Sequence, residues 1–295
     1  MSARRWTAAP LGAMAVVGVG QIGGSVALAA RAAGAVTKVV GWGRTPATVE
    51  RARSLGVVDA IAAEVEDAVR GAAIVVLATP VRSLGALAKA VAPALAPGAI
   101  VIDVGSVKAA AIDAVEPHLP AGAFVACHPI AGTERNGPDA ATPLLFEGRR
   151  CVVCPTPQSR EDALEAIEAL WVAMGAETTR MDAGLHDRVF AAGSHLPHVA
   201  AYALGAVLDG LDADLVAALQ RMPTTSLRDT TRVAASSPQM WRDILVDNKG
   251  EVAPLVERLL AKLGALHAAI AAGDADRIEA LLVEGKSGRD RSVAS

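Results

Sequence analysis

Aromatic residues are scarce in this chain: Phe, Trp and Tyr make up 3% of its 295 residues. So few π-faces argue against a platform for stacking unpaired bases. An excess of positive charge is missing too. Lys and Arg number 28 against 31 Asp and Glu, a formal net charge of −3, whereas nucleic-acid binders present a basic face. Cysteine is limited to three, an odd number in a long chain, which argues against a disulfide framework and fits a reducing cytoplasm. Cys151 and Cys154 form a C-x-x-C inside the apolar run RRCVVCPT. No second pair or histidine cluster stands at a zinc spacing, so no metal is expected. No apolar run is long enough to span a bilayer. Arg4 and Arg5 before a small-residue apolar stretch imitate a secretory signal. That stretch, however, carries Gly18, Gly20, Gly23 and Gly24 around Gln21, which the apolar core of a signal does not need.

What is present is core-forming material, with 52% hydrophobic and 20% charged residues, enough for two domains. From Ala13 to about Asp182, short apolar runs alternate with Ala/Leu-rich stretches. The strand candidates are AVVGVG, KVVGWG, AAIVVLATP, AIVIDVGS, AFVACHP, RRCVVCP and ETTRMD. Near-continuous apolar strands are buried on both faces, which predicts a doubly wound α/β domain with a parallel sheet covered by helices, over residues 11–182. From His186 the pattern is helical, and an all-helical domain is expected over residues 183–290. Val252, Leu255, Val256, Leu259, Leu260 and Leu263 fall on one stripe at helical spacing. Apolar helical faces without a sheet to cover pack on each other or on a second subunit, so a homodimer through this half is expected. Residues 287–295 read as a frayed tail.

Gly18-Val19-Gly20-Gln21-Ile22-Gly23 spells G-x-G-x-x-G between a strand and a helix. The first glycine allows the tight turn, the second lets backbone approach a pyrophosphate, and the third lets helix and strand pack closely. Gly18, Gly20, Gln21, Ile22 and Gly23 are therefore candidate cofactor residues of a Rossmann-type domain, with the phosphates on the helix N-terminus. At the end of the second strand, where an NAD site places Asp or Glu, this chain has Gly43 followed by Arg44 and Thr45. A guanidinium and a hydroxyl suit a 2′-phosphate, so NADP is favoured over NAD. An Arg44 turned into solvent would leave either cofactor acceptable.

Ligands of doubly wound sheets bind at the carboxyl ends of the strands. Those ends supply Thr79-Pro80 after the third predicted strand, Gly105-Ser106 after the fourth and His128-Pro129 after the fifth. A hydroxyl and an imidazole at the mouth of a nucleotide crevice suit hydride transfer. At His128-Pro129-Ile130-Ala131-Gly132-Thr133-Glu134 the chain resembles the prephenate and arogenate dehydrogenases. The stretches DVGSVK (103–108), SHLPH (194–198), RDTTR (228–232) and PQMWRDI (238–244) extend the resemblance over nearly the whole chain.

The resemblance implies oxidative decarboxylation of prephenate, arogenate or both, with hydride passing to NAD(P), in tyrosine biosynthesis. It implies that His128 takes the proton of the ring hydroxyl, for which an imidazole is apt, and that Ser106 orients the reacting centre. Arg232 would bind a substrate carboxylate and His198 would contact substrate. Thr133, Glu134, Asp229 and Trp241 would line or organise the pocket. Other readings of the same residues are an i, i+3 ion pair between Asp229 and Arg232 and a Trp241 that is plain core. H-L-P-H could also be a metal pair, which Pro197 opposes by disturbing the helix. His118, His186 and His267 receive no role. The rivals are a β-hydroxyacid-type dehydrogenase, whose glycine-spaced lysine motif is absent here, and a non-catalytic dinucleotide sensor, which would not need His128 and Arg232.

Overall fold

A computed structural model describes residues 6, 8–133 and 135–293. Its centre is a sheet of eight strands: β1 (Ala13–Val17), β2 (Lys38–Trp42), β3 (Ala60–Ile61), β4 (Ala72–Leu77), β5 (Ile100–Asp103), β6 (Phe124–Pro129), β7 (Arg150–Cys154) and β8 (Glu177–Arg180). They lie in the order β3-β2-β1-β4-β5-β6-β7-β8. Successive side chains of a strand point to opposite faces, and β1 shows the consequence. Met14 and Val16 enter one core cluster, Ala15 and Val17 the other. The helices that cover these faces are α1 (Gln21–Ala32), α2 (Pro46–Ser54), α3 (Val65–Val69), α4 (Val81–Val91), α5 (Lys108–Val115) and α6 (Glu161–Ala173).

Two details depart from the sequence reading. The strand β3 was not expected: two residues at the sheet edge leave no apolar run to read. The sheet is also not wholly parallel, because β7 runs antiparallel to β6. A parallel pair needs a long crossover, usually a helix. Between β6 and β7 the chain has only a one-turn 3₁₀ segment, Pro138–Ala140, and it returns on itself. The helix α6 then restores a crossover, and β8 is parallel to β7.

After Arg180 every element is helical: α7 (Ala183–Phe190), a π-turn (Ala191–His195), α8 (Leu196–Asp209), α9 (Ala213–Arg221), α10 (Thr225–Thr231), α11 (Pro238–Asp247), α12 (Lys249–Ala272) and α13 (Ala275–Ser292). Where Pro197 was expected to disturb the helix, the helical register does change. Pro197 sits in the first turn of α8, and the π-turn before it absorbs the change of register where proline has no N–H to donate. By compactness the chain divides after Asn248. In the first unit α7 packs on α5 and α11 on α4. The second unit is α12 with α13, joined by a Lys262–Glu284 ion pair at 2.5 Å. It holds a cavity of about 480 Å³ lined by Leu259, Leu263, Leu266, Leu281 and Leu282. The expected frayed tail is instead helical through Ser292. No described helix is long and apolar enough to cross a membrane.

Candidate active site

The turn after β1 has the shape that its glycines predict. Gly18 has φ +103°, and a Cβ there would lie 2.4 Å from the Ala78 carbonyl oxygen. A Cβ on Gly23 would lie 2.1 Å from the Gly18 oxygen, but one on Gly20 meets nothing within 4 Å. Gly20 thus opens onto free space at the N-terminus of α1. The helix has no side-chain cap and no acidic residue in its first turn, so its N–H groups remain available to an anion. These residues fit a dinucleotide pyrophosphate. Ile22 packs against the core, and Gln21 hydrogen-bonds to Thr133. Across the crevice Thr79 Oγ1 accepts from Ser83 Oγ at 2.9 Å, and Pro80 leads into α4. Beyond β2, Arg44 and Thr45 are exposed, and Arg44 makes no ion pair among the described residues.

His128 is the penultimate residue of β6, with the Phe190 ring centre 4.6 Å from its own. Its Nδ1 is 2.8 Å from Nε2 of His186, whose Nδ1 is 2.7 Å from Asp187 Oδ1. Asp187 also accepts the Lys108 N–H at 2.7 Å and the Ala109 N–H at 2.9 Å. It therefore caps the N-terminus of α5 from another helix, where unpaired N–H groups and the helix dipole favour a carboxylate. Burial pushes the Asp187 carboxyl up, but the bonds from His186, Lys108 and Ala109 outweigh it and leave it below its ordinary range.

An ionised Asp187 fixes the protons along this chain. His186 must donate from Nδ1, so its Nε2 carries a lone pair, so His128 donates from Nδ1. The remaining ring nitrogen of His128, Nε2, is then an acceptor. Burial, His186 and Lys108 together hold His128 well below the usual histidine range. Its imidazole is neutral near pH 7, as a base must be.

Beneath His128 lies a buried ion pair between Lys108 and Asp103, both side chains fully inaccessible. Lys108 Nζ also donates to the Cys127 carbonyl at 2.8 Å, and Asp103 accepts the N–H groups of Cys127 at 3.1 Å and Gly105 at 2.9 Å. Buried charges persist only when paired and hydrogen-bonded, and here the pair stitches the ends of β5 and β6 together. Ser106 follows directly, half-buried, its hydroxyl making no hydrogen bond among the described residues. Cys151 and Cys154 face opposite cores of the sheet. Burial pushes the Cys154 thiol up to about 12.

The helices continue the polar chain. Asn248 Nδ2 donates to the Asp187 carbonyl at 2.9 Å and to His195 Nδ1 at 3.1 Å. Burial lowers His195 to about 4. Trp241 stands 5.8 Å from His195 and stacks on His198 at 3.6 Å. Trp241 belongs to a small core cluster with Val107 and Ile244, and its Nε1 is buried without a partner among the described residues. His198 donates from Nδ1 to the Ser194 carbonyl at 2.8 Å. Burial lowers His198, the Ser194 bond opposes this, and the nearby charge of Arg232 lowers it further.

His128, His186, Asp187, Asn248, His195, Trp241 and His198 thus form one run of neighbours, and the charge of Arg232 reaches His198 at its end. Asp229 is not drawn in. It is 71% exposed and lies 3.6 Å from Arg228, not paired with Arg232. Glu134 lies outside the described residues. The sequence reading set His186 aside and missed Asp187 and Asn248. The one available signal was a His-Asp dipeptide opening the first helix after the last strand. Asp103, Lys108 and His195 stood inside motifs already noticed.

With this geometry in view, comparison with known proteins is specific. The family model for the prephenate dehydrogenase nucleotide-binding domain matches residues 26–180, and that for the prephenate dehydrogenase dimerization domain matches residues 182–284. A cyclohexadienyl dehydrogenase from Zymomonas mobilis is 38% identical over 89% of this chain and 90% of its own length. The crystal structure of prephenate dehydrogenase from A. aeolicus, in complex with hydroxyphenyl propionate and NAD+, superposes with a TM-score of 0.85 at 33% identity, covering 96% of this chain and 99% of that one. Synechocystis arogenate dehydrogenase superposes with a TM-score of 0.76 at 28% identity, over 95% and 100% of the two chains. The chain belongs to the prephenate dehydrogenase family, whose members are dinucleotide-dependent oxidoreductases.

Proposed function

We propose that this enzyme oxidatively decarboxylates prephenate to 4-hydroxyphenylpyruvate, a step of tyrosine biosynthesis in the cytoplasm. The observation that carries the reading is the His128–His186–Asp187 chain, which leaves one neutral imidazole nitrogen free at the carboxyl end of the sheet. A bound dinucleotide supplies the hydride acceptor. His128 Nε2 takes the proton of the ring hydroxyl as hydride leaves the same carbon. Loss of the ring carboxylate as CO₂ completes the aromatic ring, so the driving force belongs to the substrate. Ser106, with a free hydroxyl, orients the reacting centre. Arg232 binds a substrate carboxylate, His198 and Trp241 form a stacked wall, and Thr133 borders the pocket from the loop after β6.

Arogenate is proposed as a second substrate, because the 38% identical relative is a cyclohexadienyl dehydrogenase. Gly18, Gly20, Gln21, Ile22, Gly23, Thr79 and Pro80 hold the dinucleotide. NADP is favoured over NAD, since Gly43 offers no carboxylate and Arg44 is an exposed cation with no ion-pair partner among the described residues. A charge-assisted contact of this kind corresponds to roughly a ten- to hundred-fold preference.

We place the functional division at residues 182/183, close to where one family model ends at residue 180 and the next begins at residue 182. The helical part carries a homodimer interface. Leu260, Leu263, Ile270, Leu282 and Val283 are each more than half exposed in the single chain, the surface expected of an unassembled protomer. One assay of purified protein with prephenate and arogenate, each with NAD+ and NADP+, tests the reading. Turnover of prephenate that is faster with NADP+ is expected. No turnover of either substrate contradicts the activity, and a tenfold preference for NAD+ contradicts the cofactor assignment.

A further inference from the structure

The dinucleotide turn and the loop after β6 are tied more closely than shared packing requires. Gln21, the first residue of α1, spends both ends of its amide on one neighbour. Its Nε2 donates to Thr133 Oγ1 at 2.7 Å, and its Oε1 accepts the Thr133 N–H at 2.9 Å. Gly132 has φ +127°, and a Cβ there would stand 3.5 Å from both Gln21 Oε1 and Ile22 Cδ1. The loop backbone therefore lies directly on the first turn of α1.

The same face continues upward. A Cβ on Gly24 would come within 2.9 Å of Ala141 Cβ, and Ser25 Oγ accepts the Thr142 N–H at 3.0 Å. Positions 21, 24 and 25 share one helix face. From α2, Arg51 pairs with Asp139 through two nitrogens, Nε at 3.0 Å and Nη2 at 2.5 Å. Thr133, Asp139 and Thr142 are thus fastened to α1 and α2.

We propose that Gln21 is a positioning residue that couples cofactor binding to substrate binding. The inference rests on the functional reading above, in which the Gly18–Gly23 turn holds the dinucleotide and Thr133 borders the substrate. A Cβ on Gly20 would meet nothing within 4 Å, and α1 has no side-chain cap, so an anion can come directly onto the N–H groups that open the helix. A pyrophosphate on these N–H groups fixes the Gln21 backbone and with it the direction of the side-chain amide. The Thr133 loop then orders at a smaller entropic cost, and substrate binds more tightly. By linkage the effect is reciprocal: substrate tightens the dinucleotide by the same factor. The contacts of Ser25 and Arg51 hold the far end of the loop, so the Gln21 end is the part that ligands set.

Titration calorimetry of the intact enzyme with hydroxyphenyl propionate, alone and with saturating dinucleotide, reads the coupling as a ratio of dissociation constants. The unaltered protein should bind roughly tenfold more tightly with the dinucleotide present, within the usual range of such couplings. In Gln21→Ala the ratio should fall to within about twofold of one, because neither bond to Thr133 survives. Gln21→Glu can accept from both the Thr133 amide and hydroxyl, and should regain most of the ratio even though its charge weakens the dinucleotide. Coupling that persists in Gln21→Ala, a ratio near one in the unaltered protein, or no recovery in Gln21→Glu overturns the proposal. If neither ligand binds the unaltered protein, the functional reading fails and this inference with it.

Discussion

The sheet half and the last two helices differ in how complete one chain leaves them. In the sheet half, even the charges of Lys108 and Asp103 are enclosed and satisfied. Lys108 and Asp103 are wholly buried, and each has backbone partners besides the other. In α12 and α13 only Val252 and Ala269 are buried, while Leu260 is 62% exposed and Leu282 58%. Apolar surface of that size is costly in water. The contrast teaches where chemistry and the proposed assembly divide: the polar chain around His128 is built into the finished part, and the apolar surface left open lies on the last two helices.

Breaking the finished side should be expensive. The largest effect is expected at His128. His128→Asn removes the acceptor nitrogen but keeps a polar side chain of similar reach, and kcat should fall by roughly 10²–10⁴ with little change in KM. Steady-state kinetics with prephenate check this, and near-normal turnover would remove His128 from the reaction. Next comes the floor beneath it. Lys108→Met leaves Asp103 buried without its cation, and breaking such a pair costs about 3–5 kcal/mol of stability. Urea unfolding should show a lower midpoint with an unchanged slope. A loss under about 1 kcal/mol would mean that water reaches Asp103. The smallest effect belongs to the open side. Leu263→Ser, at a side chain 53% exposed, should alter the folding of a protomer by no more than about 0.5 kcal/mol. It should nevertheless raise the fraction of monomer seen by light scattering. A large loss of protomer stability with no change in assembly would erase the contrast.

The parts legible in the sequence were those governed by local rules. The glycines at 18, 20 and 23 announce their turn because backbone geometry excludes other residues at two of those three positions. The strands of the parallel part announce themselves because burial on both faces demands unbroken apolar runs. What stayed hidden depends on distant partners. His186 is an unremarked histidine until the fold sets it 2.8 Å from His128. Asp187 resembles an ordinary helix-surface acid until it caps α5, and Asn248 until it joins Asp187 to His195. The reversal at β7 was illegible for the related reason that strand direction is set by the connection, not by the strand. Arg232 was legible only through resemblance. Its exposed side chain gives no local sign of purpose beyond its influence on His198.

The central claim is that a neutral His128, held in one tautomer by His186 and Asp187, is the base. Its folded-state pKa lies well below the ordinary histidine value of 6.5, chiefly through burial and then through His186 and Lys108. Protonation abolishes the acceptor, so activity must be lost only as pH falls through that depressed value. The most direct test is the pH profile of kcat/KM for prephenate, taken for the unaltered enzyme and for His128→Asn. The expected profile is flat through pH 6.5 and drops at lower pH with the loss of a single deprotonated group, a limb that is absent from the residual rate of His128→Asn. An acid limb centred at or above pH 6.5, or one that survives in His128→Asn, would contradict the claim.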